Sequence, residues 1–184
     1  AAREHDSSIV GAVRSASNSA SARWSATVLL MSEPLRVLVV GGLDPSGGAG
    51  ITADARVLQL HGVQALPVVM ALTVQNRHGF SRCAEVAAEL WQAALAAALA
   101  DGPIAAIKLG LLPSASQATA LAAALAPVAR QVPLVVDPVL SATAGGYQAS
   151  STLAAVYREQ LVPLAAVFTP NLPDRKSTRL NSSY

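Results

Sequence analysis

Between about residues 35 and 170 the chain alternates short unbroken apolar runs with longer segments of helical spacing. The runs LRVLVVG, ALPVVMALT, IAAIKLG, PLVVDPV and AAVFTP lack polar alternation, the pattern of strands covered on both faces. Between them, ITADARVLQLHG, AEVAAELWQAALAAALADG, SASQATALAAALAPVARQ and SSTLAAVYREQL are each long enough for a helix. Ser114 and Gln117 have the spacing of a capping box, Gly62 and Gly102 fall where helix C-caps belong, and His61 reads as a helix end. The repeat predicts an α/β fold, a three-layer αβα sandwich around a mostly parallel sheet.

In such a sheet, ligands gather beyond the carboxyl ends of the strands. That rule selects the segments 41–50, 73–79, 110–113, 137–146 and 169–173. The first, within GGLDPSGGAGITAD, contains GxGxxA at Gly48–Ala53, but two features count against a dinucleotide site. The glycines come several residues past the strand, and the acidic residue that would hold a ribose is missing from the end of the second strand, which reads ALTVQN. No GxxxxGK[ST] is present, so a P-loop is not supported. What remains is physical. Gly47, Gly48 and Gly50 permit positive φ and close backbone approach, and the following helix offers N–H groups to a ligand.

Asp54 falls on about the first turn of that helix, either as a dipole partner or as a site carboxylate. Gln75 and Asn76 end the second strand with amides that donate and accept, which suits a heterocycle or an ordinary polar strand end. Asp137 ends an apolar strand and needs a partner, with Mg²⁺ or water as candidates. Lys108 reads as a snorkelling lysine, Cys83 as a small apolar filler, and His78 has no ligand partner nearby in sequence.

Composition narrows the class. The 184 residues are 52% hydrophobic and 13% charged, as suits a buried α/β scaffold. No apolar run approaches the roughly 20 residues of a membrane span, and one cysteine allows no intrachain disulfide. The net charge of +2 sits at the ends: residues 1–30 carry +1 and 174–184 carry +2, leaving the middle at −1. A nucleic-acid partner is therefore not expected. Residues 1–30 are Ser/Ala-rich without period and are expected to lie outside the fold, with Met31 as the start. DRKSTRLNSS back-translates to something close to a sequencing-library adapter, so 174–184 are expected to be a scar.

Taken together, GLDPSGGAGITAD, ALTVQN, IKLGLL, VVDPVL and TPNLP resemble, in order and spacing, the hydroxymethylpyrimidine and phosphomethylpyrimidine kinases of thiamine biosynthesis. These belong to the ribokinase-like superfamily. The resemblance spans about Leu35 to Pro173, the first half or slightly more of a family member, so residues 31–173 are expected to be the N-terminal part of such a domain, truncated at its C-terminus. It implies transfer of the ATP γ-phosphate, with Mg²⁺, to 4-amino-5-hydroxymethyl-2-methylpyrimidine and then to its monophosphate. It also implies a cytoplasmic enzyme, a homodimer when intact, with neither nucleic acid nor membrane as partner.

By motif match, Gly42, Asp54, Gln75, Leu111 and Val139 would line the pyrimidine pocket. Asp137 and Asn171 would stand near the ATP phosphates, with Asp137 on the metal. Leu111 replaces the family's usual Met, and Asp174 stands where the family has Glu after TPNLP. The family's catalytic Cys, in a GTGC-type motif, is not met here, and Cys83 is not in that context, so no catalytic residue is assigned and the printed chain is expected to be inactive by itself. The alternatives are a pyridoxal kinase of the same superfamily, against which the complete DPSGGAGI argues, and a non-catalytic pyrimidine-binding remnant.

Overall fold

A computed structural model describes residues 34–76, 78–141 and 147–171. The expectations for residues 1–30 and 174–184 lie outside them. From Leu35 onward the described residues belong to one compact unit. Its elements are β1 (Arg36–Leu43), α1 (Gly50–Leu60), β2 (Gln64–Asn76), β3 (Gly79–Glu85), α2 (Ala88–Ala100), β4 (Ala106–Leu109), α3 (Ala115–Leu125), β5 (Leu134–Val136), α4 (Ser151–Val156) and β6 (Val167–Phe168). A π turn, Tyr157–Leu161, and a 3₁₀ turn, Val162–Leu164, extend α4.

Among the described residues six strands form one sheet in the order β3-β2-β1-β4-β5-β6. Every pairing is parallel except that of β2 with β3. Register explains how the layers form. Leu38 pairs with Ile107 and Ile107 with Leu134, while Val40 pairs with Leu109 and Leu109 with Val136. These side chains share one face and bury against Trp91 and Leu95 of α2, Leu121 and Leu125 of α3, and Leu153, Tyr157 and Leu161 in and after α4. Lys108 points the other way, to the face where α1 lies across β1 and β2 and buries Ile51. The αβα expectation therefore holds, with α1 as the helix on the second face.

Three details depart from the sequence reading. The segment 79–85 is a strand, so the predicted helix from Ala84 begins only at Ala88. AEVAAEL is good helical composition, but β2 runs on to Asn76 and offers its edge to a hairpin partner, and that pairing overrides local propensity. Both faces of β2 are not covered along its length: Leu72 and Val74 are 51% and 57% exposed. Ser114 does cap α3 by position, yet no capping box forms. Its hydroxyl instead reaches Glu85 at 3.1 Å, and Gln117 Nε2 donates to Glu85 Oε2 at 2.8 Å and to the Val86 carbonyl at 2.9 Å, fastening the end of β3 to α3.

The helix C-termini follow expectation. His61 is the C-cap of α1, and Gly62 and Gly102 have φ of 70° and 126°, a region in which glycine carries no Cβ penalty. Among the described residues no helix is long and apolar enough to cross a membrane.

Candidate active site

The order in which strands are added reverses at β1: β2 lies on one side of it and β4 on the other. That switch point opens a crevice at the carboxyl ends of the strands. The crevice is a cleft of about 530 Å³. Gly42, Asp54, Gln75, Leu111, Asp137, Val139 and Asn171 all line it, although they come from six separate segments of the chain.

The loop after β1 is organised by a residue that the sequence reading passed over. Asp44 is 3% exposed. Its Oδ1 accepts from the Ser46 amide at 2.8 Å, and its Oδ2 accepts from the Ser46 hydroxyl at 2.8 Å and the Ala49 amide at 2.9 Å. The Asp44 carbonyl takes the Gly47 amide at 3.1 Å and the Thr52 hydroxyl at 2.8 Å. A buried carboxylate is stable only with such partners, and here all of them lie in its own loop or on the first turn of α1. An Asp two residues before Ser is the signal that could have found it.

Two of the three glycines in this loop need their freedom. Gly47 and Gly50 have φ of 71° and 60°, whereas Gly48 is not in the left-handed region. At Gly50 a Cβ would also collide with the Gly42 carbonyl oxygen, because Leu43 and Gly50 form a bridge that folds the loop back on β1. Gly42 has a different role. A Cβ there would lie 3.2 Å from Leu111 Cδ2 and 3.6 Å from Thr73 Cγ2, so the glycine keeps the floor of the cleft open.

An ion cluster spans the cleft wall. Lys108 Nζ donates to Asp54 Oδ1 at 2.7 Å and Oδ2 at 2.8 Å, and stands 3.4 Å from Asp137 Oδ2. Lys108 is therefore not a snorkelling end, and Asp54 is not a dipole partner, since it lies beyond the first turn of α1. Side-chain exposures of 22–32% place all three groups at the cleft surface, neither dry nor fully solvated. The cluster has a formal charge of −1, and both carboxylates keep acceptor capacity beyond the lysine.

The far wall comes from the β2–β3 hairpin. Thr73, 7% exposed, donates to the Leu43 carbonyl at 2.9 Å and locks β2 to β1 beside Gly42. The two amides at the end of β2 differ. Asn76 Oδ1 accepts from the His78 amide at 2.8 Å and closes the hairpin, whereas the Gln75 side chain has no hydrogen-bond partner among the described residues. Leu111 and Val139 add apolar wall, and behind Gly110 the buried Tyr157 hydroxyl donates to its carbonyl at 3.0 Å.

Cys83 is half-buried rather than a core filler. Burial, and then the nearby Glu85 carboxylate, push its thiol up. Tyr147 is pushed up to about 12 by burial first and by Cys83 second.

The profile of the phosphomethylpyrimidine kinase family matches residues 44–180. The chain belongs to this family. It is 39% identical over 141 residues to the hydroxymethylpyrimidine/phosphomethylpyrimidine kinase of Mycobacterium leprae, a match covering 77% of this chain and 50% of the relative. Its fold superposes on the crystal structure of phosphomethylpyrimidine kinase from Clostridium difficile 630 with a TM-score of 0.73 at 27% identity, covering 82% of this chain and 66% of that one. The pyridoxal kinase of Bacillus subtilis, solved as an ADP complex, gives 0.65 at 27% identity, covering 79% and 53%. The chain thus spans about half the length of the curated relatives it matches.

Proposed function

We propose that the protein is the acceptor-binding part of an ATP-dependent kinase that phosphorylates 4-amino-5-hydroxymethyl-2-methylpyrimidine and its monophosphate. The observation that carries this reading is Gln75, an amide without a hydrogen-bond partner among the described residues, in the cleft of a phosphomethylpyrimidine kinase family member. A primary amide offers a donor and an acceptor side by side, which matches the adjacent exocyclic amine and ring nitrogen of an aminopyrimidine. Asp54, held by Lys108, supplies a further acceptor, while Gly42, Leu111 and Val139 leave a flat apolar slot for the ring and its methyl group.

Two further lining residues suit a metal-bound triphosphate. Asp137 Oδ1 has no partner among the described residues, and Asn171 lines the same cleft. A single carboxylate suits Mg²⁺, which keeps several waters and takes its remaining ligands from one or two carboxylates and from phosphate oxygens. Mg·ATP would supply the phosphoryl group and neutralise its developing charge. The chain's own part is positional: it holds the acceptor ring in the same cleft as the groups that would face the phosphates.

Calorimetry on Gln75→Ala in the full-length protein tests the reading. Pyrimidine affinity should fall by about tenfold or more, the cost of an unmet amide pair, while ATP affinity stays within about twofold. Equal losses for both ligands would overturn it, as would tighter binding of pyridoxal than of the pyrimidine by the unaltered protein.

A further inference from the structure

Phe80 is outside the residues assigned above to the pyrimidine, and its placement depends on an irregularity in β3. The ladder pairs Thr73 with Cys83, Val74 with Arg82 and Gln75 with Phe80. Phe80 and Cys83 are three residues apart, a spacing that in a regular strand sends side chains to opposite faces. Ser81 is the extra residue between the two pairs. It makes a β-bulge, and the bulge brings Phe80 onto the cavity side beside Gln75. Without it Ser81 would stand opposite Gln75 and Phe80 would point away.

The ring is also held from behind. Tyr147, from the segment after β5, packs on Phe80 with ring centroids 5.3 Å apart and planes tilted by 54°, a favourable aromatic geometry. Its hydroxyl donates to the Leu112 carbonyl at 3.4 Å. The Tyr147 segment is anchored next door, where the Ala149 amide donates to the Leu140 carbonyl at 2.7 Å and Ser141 bridges to Gln148. An aromatic ring has therefore been turned into the cleft by a bulge and braced by a second ring from a different loop.

We infer that Phe80 is a specificity-determining residue that takes the flat face of an aromatic heterocycle while Gln75 reads its edge, with Tyr147 as the positioning residue behind it. This rests on the pyrimidine reading of the site. Cross-strand partners stand about 5 Å apart, close enough for one small ring to meet both side chains. Stacking selects for planarity and hydrogen bonding selects for the pattern of nitrogens, so the pair rejects saturated analogues that an apolar wall of Leu111 and Val139 alone would admit.

The test is calorimetric titration of 4-amino-5-hydroxymethyl-2-methylpyrimidine into the unaltered protein and into Phe80→Leu, Phe80→Trp, Tyr147→Phe and Tyr147→Ala. Leu keeps the apolar volume but not the π-face, so Phe80→Leu should bind about tenfold more weakly, with its unfolding temperature within a few degrees of the unaltered protein. Phe80→Trp should recover affinity to within about threefold, and its added tryptophan emission should be quenched in proportion to pyrimidine occupancy. Tyr147→Phe should bind as the unaltered protein does, and Tyr147→Ala about threefold more weakly, through loss of the brace. Equal affinity of Phe80→Leu and the unaltered protein, or added emission in Phe80→Trp that is indifferent to saturating pyrimidine, overturns the inference while leaving the site reading intact. Failure of the unaltered protein to bind the pyrimidine overturns both.

Discussion

The loop after β1 and the β2–β3 hairpin border the same cleft, and they are secured by different means. The loop is tied through a buried carboxylate, two glycines in the left-handed region and a bridge back to its own strand. The hairpin lies at the edge of the sheet and relies on its ladder, one Asn76 turn bond, the Glu85 contacts to α3, and the Phe80–Tyr147 pair. The loop is built so that it can adopt one shape. The hairpin carries Gln75 and Phe80, the two cleft-lining groups proposed above to discriminate between ligands. In the proposed reading, support of the ligand by the loop and choice of ligand by the hairpin are separated along the chain.

Paired glycine substitutions give the largest test of that contrast. Gly50→Ala must place a Cβ against the Gly42 carbonyl at a φ of 60° and should lose about 3 kcal/mol or more in urea unfolding. Gly79→Ala, in the hairpin, meets nothing within 4 Å and has no left-handed φ, so it should change stability by no more than about 0.5 kcal/mol. Similar losses at both positions would erase the distinction. Next in size is Asp44→Asn. It keeps the shape but turns one acceptor oxygen into a donor facing the Ser46 or Ala49 amide, for an expected loss of about 2 kcal/mol by the same measurement.

Lys108→Met probes binding with a smaller effect on folding. It leaves Asp54 and Asp137 without their shared cation, and because both are partly solvated the stability change should be about 1 kcal/mol. Pyrimidine affinity should nevertheless drop about tenfold, since Asp54 loses the two bonds that aim it across the cleft. Calorimetry showing unchanged affinity would mean that Asp54 reaches the ligand unaided.

The uneven legibility of the molecule in its sequence has the same origin. The β-α alternation, the C-terminal glycines at 62 and 102 and the segments that meet in the cleft depend on local spacing, and local spacing could be read. Lys108 looked solitary because its partners are 54 and 29 positions away and nothing local announces them. Ser114 and Gln117 had the right spacing for a cap, but a better partner, Glu85, arrives from a strand that was itself unread. That strand, GFSRCAE, shows no unbroken alternation, since the bulge at Ser81 shifts Gly79 and Phe80 out of phase with the residues after it. The bulge that conceals β3 in the sequence is the feature that turns Phe80 toward the cleft.

The mildest expected effect concerns the brace behind the hairpin. Tyr147 has an ordinary value of 10.0 and is pushed up to about 12, so the folded protein holds its proton over a range in which the unfolded chain releases it. The contribution of the neutral phenol is fully present below pH 10 and is lost as pH rises through about 12. Tyr147→Phe has no proton to lose. In urea unfolding at pH 9 and pH 11, the unaltered protein should decline by on the order of 1 kcal/mol more than the variant, less than the full linkage value because the ring is only partly buried. Parallel declines in the two proteins would show that the phenol stays solvated. Tyr147 could then still pack on Phe80, but the hairpin would be braced from a wetter side than the β1 loop, and the contrast between them would widen.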